Sequence, residues 1–402
     1  MRILHTSDWH LGRTLHGFSL REAQEQAVAH VVDLAISRGV DLVIVAGDVF
    51  DRAVPPVESL RLLNEALVRL DGAGITTIIT SGNHDSGDRL ASYSALLRDR
   101  VRIVGSMAEI GVPVELADEF GPVLVYPLPF LEPDTARQLL GAEGEPLERS
   151  HEAVMTAALD VVAADLAQRG GPRAIAVGHA FVAEVGEPSG APGDAGAPAL
   201  EGLTSTSERD LSVGGVQVVP ARVFAGRGLQ YVALGHLHRP HTVRLADPVA
   251  VYSGSLLRYS LSEAAHAKSV TLIELGRAGS PPVVETVALP EGRGMARLSG
   301  TIDDLLGEDH RVHRDDFVEL VVTDAEYPER MHARLDAVFP WALTKVHEPL
   351  GAPVPVTGER GDARGRDPVD VMSQFFRKVT GRDLSERESA VLRSTYESVR
   401  GA

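Results

Sequence analysis

Five short segments of this sequence each place Asp, Asn or His directly after an apolar, strand-like run. They are Asp8-Trp9-His10, Gly47-Asp48-Val49-Phe50-Asp51, Gly82-Asn83-His84-Asp85, Gly178-His179 and Gly235-His236-Leu237-His238. Parallel strands that are buried on both faces have continuous apolar sequences, and ligands bind where such strands end. The pattern therefore predicts a buried sheet whose carboxyl end carries one shared metal site.

Strand-like and helix-like stretches alternate along the first hundred residues. We predict strands at 1–6, 41–46 and 75–80, and helices at about 19–38, 57–70 and 87–97. Leu60, Leu63, Leu67 and Leu70 give the second helix one apolar face. This alternation is typical of an α/β protein in which helices cover a sheet. Further strands are predicted at 112–116, 123–126, 174–177, 230–234, 241–245, 249–252, 270–275 and 283–288, with a helix at 151–168.

The sequence changes character after about residue 290. A β-α-β-α-β pattern over 290–348 predicts a small α+β module, and a Gly/Pro/Arg-rich stretch at 349–367 predicts a linker. Two helices follow within 368–402, with Gly381 as a helix C-cap and with Ser385 and Glu388 forming a capping box. Within the preceding domain, residues 185–202 are rich in Gly, Ala and Pro and are predicted to form a mobile loop.

Composition limits how the protein can bind and where it works. The formal net charge of -17 argues against a nucleic-acid binder that relies on a basic surface alone. The absence of Cys excludes disulfides and thiolate metal sites. Met1 leads straight into a strand and no apolar stretch is long enough to span a membrane, so we expect a cytoplasmic protein without a signal peptide.

The donor atoms of the five segments are oxygen and nitrogen, without sulfur. This set suits Mn²⁺, Fe²⁺ or Zn²⁺ rather than Ca²⁺. Because the segments hold too many donors for one ion, we predict a two-metal site with Asp48 as the bridging carboxylate. No convincing motif for a covalent nucleophile is found, so the pattern favours attack by water in a phosphoryl displacement.

In order along the chain, these motifs are D-x-H, G-D-x-x-D, G-N-H-D, G-H and G-H-x-H, and they resemble the calcineurin-like metallophosphoesterase superfamily. Residues 1–12 and the segment Tyr252-Ser253-Gly254-Ser255 are similar, more specifically, to the SbcD family of nuclease subunits. The resemblance covers residues 1 to about 275 by sequence and the rest of the chain by organisation only. It implies an α/β sandwich of two mixed β-sheets flanked by helices (1–289), followed by a small α+β capping and DNA-binding domain (290–348) and C-terminal helices that bind the partner (368–402).

The resemblance also implies a role for each residue of the site. One Mn²⁺ ion would be held by Asp8, His10, Asp48 and His238, and the other by Asp48, Asn83, His179 and His236.

Four further residues would act on the substrate or on the ligands. His84 would stabilise the transition state and protonate the leaving oxygen, with Asp85 orienting it. Asp51 would hold a ligand histidine by a hydrogen bond. Arg52 stands where protein phosphatases of the superfamily carry a phosphate-binding Arg.

SbcD-like proteins are manganese-dependent nucleases that work with SbcC, an ATPase with a long coiled coil. The resemblance therefore implies DNA as substrate, double-strand exonuclease and single-strand or hairpin endonuclease activity, a homodimer, and a nucleoid-associated location. Phe375 and Phe376 on a terminal helix are predicted to dock the partner. The alternative, kept open by Arg52, is a stand-alone metallophosphoesterase acting on small phosphoesters or phosphoproteins. The nuclease hypothesis is favoured because such a phosphatase needs no cap, linker or terminal helix pair.

Overall fold

The computed structural model describes residues 1–97, 100–142, 144–184, 218–290, 292–350, 368–380 and 382–400. The predicted loop at 185–202, most of the predicted linker at 349–367 and the predicted cap at Gly381 lie outside these residues. Within the described ranges, no helix is long and apolar enough to cross a membrane.

The strands of the described ranges are, in chain order, β1 (Arg2–Thr6), β2 (Thr14–Leu15), β3 (Phe18–Ser19), β4 (Leu42–Ala46), β5 (Thr76–Thr80), β6 (Val101–Val104), β7 (Val114–Asp118), β8 (Gly121–Pro127), β9 (Arg173–His179), β10 (Val182–Ala183), β11 (Val219–Pro220), β12 (Tyr231–Gly235), β13 (His241–Val243), β14 (Val249–Tyr252), β15 (Ser269–Glu274), β16 (Val283–Ala288), β17 (Met295–Gly300), β18 (Phe317–Val322) and β19 (Ala342–His347). In the same ranges, the helices before residue 290 are α1 (Arg21–Ser37), α2 (Val57–Gly72), α3 (Gly87–Leu90), α4 (Pro133–Leu139) and α5 (His151–Gln168).

Two six-stranded sheets form the body of the protein. The first has the order β16-β15-β1-β4-β5-β6, in which β1 is parallel to β4 and antiparallel to β15. The second has the order β13-β14-β12-β9-β8-β7, in which β14, β12, β9 and β8 are parallel to one another, while β13 and β7 are antiparallel at the edges. Both sheets are therefore mixed, as the resemblance implied.

The sheets pack face to face, with helices on their outer faces. The layer between them contains Ile44 and Ile78 of the first sheet and Val177 and Tyr231 of the second. Helices α1 and α2 pack on the outer face of the first sheet, and α5 packs on that of the second. Each fully buried Ile or Val side chain stabilises this arrangement by about 1.5–3 kcal/mol. The predicted α/β sandwich is confirmed.

Most of the predicted strands and helices are confirmed, including α5, which was predicted at 151–168 and spans His151–Gln168. The helix predicted at 87–97 is wrong, because the chain forms only α3 and a 3-10 turn at Ser94–Leu96. Neither piece buries a residue, so no packed face stabilises a longer helix. The strand β6 that follows was not predicted.

Helix α2 buries a narrower face than its leucines suggested. Leu63, Ala66 and Leu70 are buried, but Leu60 is 47% exposed. Leu60 lies outside the buried face of α2, so the first sheet does not cover its side chain.

Residues from Met295 to His347 form a small core of their own. The three-stranded parallel sheet β17-β18-β19 packs with the helices Ile302–Leu306 and Met331–Asp336. Leu305, Leu320 and Leu335 lie at the centre of this core, which we call the cap. This organisation agrees with the predicted α+β module, whose boundaries at 290–348 stay a prediction.

The cap packs on the two-stranded β2-β3 hairpin through aromatic side chains. The ring of Phe18 lies 5.8 Å from that of Phe317 and 5.4 Å from that of Trp341, measured between centroids. The guanidinium of Arg293 lies 3.7 Å above the Trp341 ring, a cation–π contact.

Two helices, Pro368–Thr380 and Glu386–Arg400, end the described chain. The predicted capping box is confirmed, since the amide of Glu388 donates to Ser385 Oγ at 3.3 Å and the amide of Ser385 donates to Glu388 Oε2 at 2.8 Å.

A charged cluster joins the two sheets at the end away from the predicted site. The Met1 amine and Arg173 Nη1 donate to Asp118 Oδ2 at 2.7 Å and 3.0 Å, and Arg173 Nη1 also donates to the carbonyl oxygen of Gly276 at 3.0 Å. Arg173 is only 3% exposed. Its hydrogen bonds to Asp118 hold the pKa of that carboxyl well below its usual range.

We expect Asp118→Ala to lower the free energy of unfolding by about 3 kcal/mol, because it leaves the buried Arg173 guanidinium without its carboxylate. The folded pKa of Asp118 is depressed, so this stabilisation is present above the unfolded pKa of about 4 and is lost as the pH falls towards the folded pKa. Urea unfolding at about pH 7 and about pH 3 should show the gap between variant and wild type narrowing in acid. Asp134→Ala, which breaks an exposed pair with Arg149, should change little.

Candidate metal centre

The five ligand segments meet at one edge of the sandwich. Asp8 and His10 follow β1, Asp48 follows β4, and Asn83 follows β5. From the second sheet, His179 ends β9, and His236 and His238 follow β12. Within the described chain, three overlapping groups have ligand atoms within 4.8 Å of one another: Asp8 with His10 and His238, His10 with Asp48 and His84, and Asp8 with Asp48 and His179.

The backbone at these loops is strained in a way that ordinary turns are not. Asp8, His10, Asp48 and His236 have φ angles of 52°, 44°, 50° and 101°. Side-chain-bearing residues seldom adopt the left-handed region, and each such residue costs on the order of 1–3 kcal/mol. Strain concentrated on four predicted ligands indicates that the surrounding structure holds them for a purpose other than stability.

Glycine lets the loops approach closely enough to share a centre. A Cβ at Gly82 would overlap the carboxylate of Asp48, and one at Gly47, whose φ is 81°, would overlap the ring of His179. Any larger residue at either position would force a ligand side chain away.

One half of the centre lies around His10. Its Nε2 is 3.1 Å from Nε2 of His238 and 3.7 Å from Oδ2 of Asp48. The carboxylate of Asp8 accepts hydrogen bonds from Ser7 Oγ at 2.5 Å and from the amide of His236 at 3.0 Å. At this distance the Nε2 atoms of His10 and His238 are close enough to bind one shared cation.

The other half lies around Asn83. Its Oδ1 is 3.0 Å from Nε2 of His179 and 3.0 Å from Nδ1 of His236. Asp48 Oδ2 is 3.3 Å from Nε2 of His179. The same carboxylate oxygen therefore faces both halves, which is the placement that a bridging ligand requires.

The charge states of these groups suit cation binding. Burial lowers the pKa of His236 to about 3 and that of His10 well below its usual value, so both imidazoles are neutral ligands at neutral pH. Burial would raise the pKa of Asp48, but the neighbouring His179, His10 and His84 together outweigh burial and hold that pKa well below its usual range. A buried, ionised carboxylate beside the neutral imidazoles of His10 and His236 fits divalent metal ions of the Mn²⁺, Fe²⁺ or Zn²⁺ type. Burial would lower the pKa of His179, but the Asp48 carboxylate raises it to about 9, so metal binding at His179 has to displace a proton.

Hydrogen bonds on the far side of two rings orient them toward the centre. His179 Nδ1 donates to the carbonyl oxygen of Ala46 at 2.9 Å, and His238 Nδ1 donates to Glu263 Oε1 at 3.0 Å. Glu263 is fully buried, and no motif of the sequence predicts its role. Its position 25 residues after His238, outside every motif, carries no signal of this contact.

The structure corrects the expected role of Asp85. Its carboxylate accepts hydrogen bonds from the amides of Val49, Phe50 and Gly82, at 3.1, 2.9 and 2.9 Å. Asp85 therefore joins the loops after β4 and β5, and His84 is oriented by another group.

That group is Asp51, through its main chain. His84 Nδ1 donates to the Asp51 carbonyl oxygen at 2.8 Å. The Asp51 carboxylate accepts from Arg13 Nη1 at 3.1 Å and lies 3.8 Å from His10 Nδ1, too far for the expected hydrogen bond to a ligand histidine. Arg52, the possible phosphate contact, is exposed.

The same motifs are found in known proteins. Residues 1–240 match the family described as "Calcineurin-like phosphoesterase", and residues 291–380 match the "Type 5 capsule protein repressor C-terminal domain". The SbcD subunit of the nuclease SbcCD from Bacillus subtilis (strain 168) is 31% identical over 414 residues, which cover 98% of this chain and 96% of that protein. The chain belongs to the SbcD family of calcineurin-like phosphoesterases.

Two solved structures resemble the SbcD-family chain more distantly. The protein TT1561 of Thermus thermophilus is 15% identical with a TM-score of 0.38, and the match covers 71% of this chain and 98% of that one. A dimetal phosphatase from Danio rerio is 12% identical with a TM-score of 0.40, covering 71% of this chain and 99% of that one.

We expect Asp48→Ala to abolish high-affinity binding of Mn²⁺ to the metal-free protein, because its carboxylate faces both halves of the centre. His84→Gln should bind Mn²⁺ as the wild type does, since the Nε2 atom of His84 is 4.0 Å from Asp48 Oδ2 and its ring is held by Asp51. Isothermal titration calorimetry measures both, with exposed Asp88→Asn as the control. A His84→Gln protein that has lost an ion would make His84 a ligand instead.

Proposed function

We propose that the chain is the nuclease subunit of an SbcCD-type complex and that it hydrolyses DNA phosphodiesters at a Mn²⁺-dependent two-metal centre. The observation that carries this proposal is the convergence of the predicted ligands at one buried edge, in a chain that aligns from end to end with a nuclease subunit. With the ATPase partner, the activity would be an ATP-dependent double-strand exonuclease. Without it, single strands and hairpins would be cut endonucleolytically.

Each side chain of the centre has a place in this reaction. Asp8, His10, Asp48 and His238 would hold one ion, and Asp48, Asn83, His179 and His236 the other. When bound there, the two ions would supply a nucleophilic water and would neutralise charge on the attacked phosphate. The neutral state of His10 and His236 leaves their nitrogen lone pairs available for these ions.

His84 is the residue placed to act on the leaving group. Its ring is 14% exposed, and the Asp51 carbonyl oxygen accepts a hydrogen bond from its Nδ1–H at 2.8 Å. This bond turns Nε2 toward the rim of the centre, where a protonated ring donates its Nε2 proton to the departing oxygen. The imidazole in this step is thus held at one nitrogen and free to transfer a proton at the other.

The acidic character of the chain explains why a partner is needed. With a net charge of -17, the surface as a whole repels DNA, so a duplex has to be held by other means. An SbcC-type coiled-coil ATPase would hold the duplex, while the exposed Arg52 at the rim would contact one phosphate. The complex would work in the cytoplasm, at the nucleoid.

A second copy of the chain belongs to the same proposal. Val57, Leu60 and Val68 of α2 are exposed by 56%, 47% and 63%, and together they leave an apolar strip on one helix. Burying such a strip against its copy would stabilise a homodimer.

The purified chain with Mn²⁺ should cleave hairpin and single-stranded DNA and should lose this activity with a chelator. His84→Gln should lower the rate constant by about 10²–10⁴-fold, the usual range for a general acid. Gel assays on end-labelled DNA measure the cleavage and the rate constant. Parallel assays measure hydrolysis of a phosphomonoester and of a phosphoprotein. Rapid hydrolysis of those substrates without DNA cleavage would favour the alternative, a stand-alone metallophosphoesterase.

The terminal helices are expected to dock the ATPase. Met372 and Phe375 on the helix Pro368–Thr380 are exposed by 42% and 68%, as an unpartnered apolar face would be. Truncation after residue 350 should abolish co-purification with the ATPase and ATP-stimulated duplex degradation. Cleavage of single strands should persist because every proposed ligand lies before residue 240.

Phe375→Glu should weaken the complex in the same way, whereas Val283→Glu, on an exposed strand of the first sheet, should not. Size-exclusion chromatography with the ATPase reads out each variant. An unchanged complex after truncation would contradict the docking role.

A further inference from the structure

Lys268 lies behind the metal centre, where a charged side chain is seldom found. It follows the loop that carries Glu263, is 8% exposed, and takes no part in the motifs of the sequence. Three acceptors surround its Nζ atom: Glu263 Oε2 at 2.7 Å, Ser255 Oγ at 2.8 Å and the carbonyl oxygen of His238 at 3.0 Å. An ammonium group has three N–H bonds, so one is available to each acceptor.

Glu263 connects this ammonium to the ring of His238. Its Oε2 accepts from Lys268 and from the amide of Tyr259 at 3.2 Å, while its Oε1 accepts from His238 Nδ1 at 3.0 Å and from Ser260 Oγ at 3.2 Å. Because both carboxylate oxygens of Glu263 accept hydrogen bonds, its carboxylate is held in one orientation. With Nδ1–H donated to Glu263, the lone pair of His238 lies on Nε2, which faces Nε2 of His10.

Stability alone does not account for this pair. Removing two charges from water costs several kcal/mol per ion, and apolar replacements of a buried pair are often neutral or stabilising. A buried Lys–Glu pair beside a proposed ligand has a second use, because carboxylates that accept from a ligand histidine fix its tautomer and its orientation.

We propose that Lys268 is a positioning residue of the metal centre. Through Glu263 it fixes the tautomer and the ring of His238, and through the His238 carbonyl oxygen it fixes the main chain that carries the ring. The proposal rests on the assignment of His238 as a metal ligand under the proposed function. It adds a residue that touches neither metal nor substrate but determines how one ion is held.

The surroundings of Lys268 allow it to be replaced. Its side chain borders a cavity of about 370 Å³ whose lining includes the charged Glu22, Arg258 and Arg293 and the apolar Leu257, Met295, Phe317 and Trp341. A methionine at position 268 has a similar length and would meet these apolar neighbours. Lys268→Met thus removes the three donors while leaving the core filled, and Lys268→Gln keeps a neutral donor.

The test uses the full-length protein without DNA. In metal-free protein labelled with ¹⁵N-histidine, wild-type His238 should show the Nδ1–H tautomer, and Lys268→Met should show a mixture. The same variant should bind the ion held by His238 about 10–100-fold more weakly in a Mn²⁺ titration, with the other ion little changed. Lys268→Gln should change the tautomer and the Mn²⁺ affinity in the same direction but by a smaller amount. Lys345→Met, which removes a lysine paired with Asp336 in the cap, is the matched control.

The proposal is overturned if Lys268→Met keeps the wild-type histidine spectrum and binds Mn²⁺ within about twofold of wild type, even with a lower melting temperature. If Lys268→Met does not fold, the same two measurements on Lys268→Gln decide. Because neither readout involves DNA, a protein that binds Mn²⁺ but cuts no DNA would count against the proposed function and not against this role of Lys268.

Discussion

The carboxylate of Asp48 is the point on which the arrangement of the site depends. Its Oδ2 faces the imidazoles of His10 and His179, and its Oδ1 accepts from the amide of His84 at 2.9 Å. Asp48 is 2% exposed, and a buried charge of this kind is tolerated only among donors and opposite charges. The loops after β1 and β5 and the last residue of β9 supply those neighbours, so the balance of one buried anion involves both sheets at their common edge.

That edge has to be rigid, because its loops are strained. Left-handed φ angles at Asp8, His10 and Asp48 are unfavourable locally, and they persist because the strands before them are buried between layers. Asp85 adds to this rigidity by holding three amides from two loops. The sandwich therefore acts as the support on which an unfavourable but useful geometry is maintained.

The sequence predicted local patterns better than it predicted long-range packing. The ligands could be predicted because each one follows its own strand within a few residues, and parallel strands end at the same edge of a sheet. The prediction for 87–97 was wrong because helical propensity was considered without a partner surface, and the structure buries none of its helical residues. Glu263 and Lys268 went unnoticed because acidic and basic residues are usually solvated, and only packing shows which ones are buried.

The sequence by itself determined a sheet covered by helices, the small α+β module, the terminal helix pair and the residues that gather at the site, because strand periodicity and motif spacing are local properties of the chain. The division into two packed sheets was implied by the resemblance to calcineurin-like metallophosphoesterases. The tertiary structure decided which partner each side chain has. It assigned the orientation of His84 to the Asp51 carbonyl oxygen, gave Asp85 to the loop amides, and placed Glu263 and Lys268 behind His238. Hydrogen bonds between residues distant in the chain depend on distances and directions that exist only after the sheets have packed.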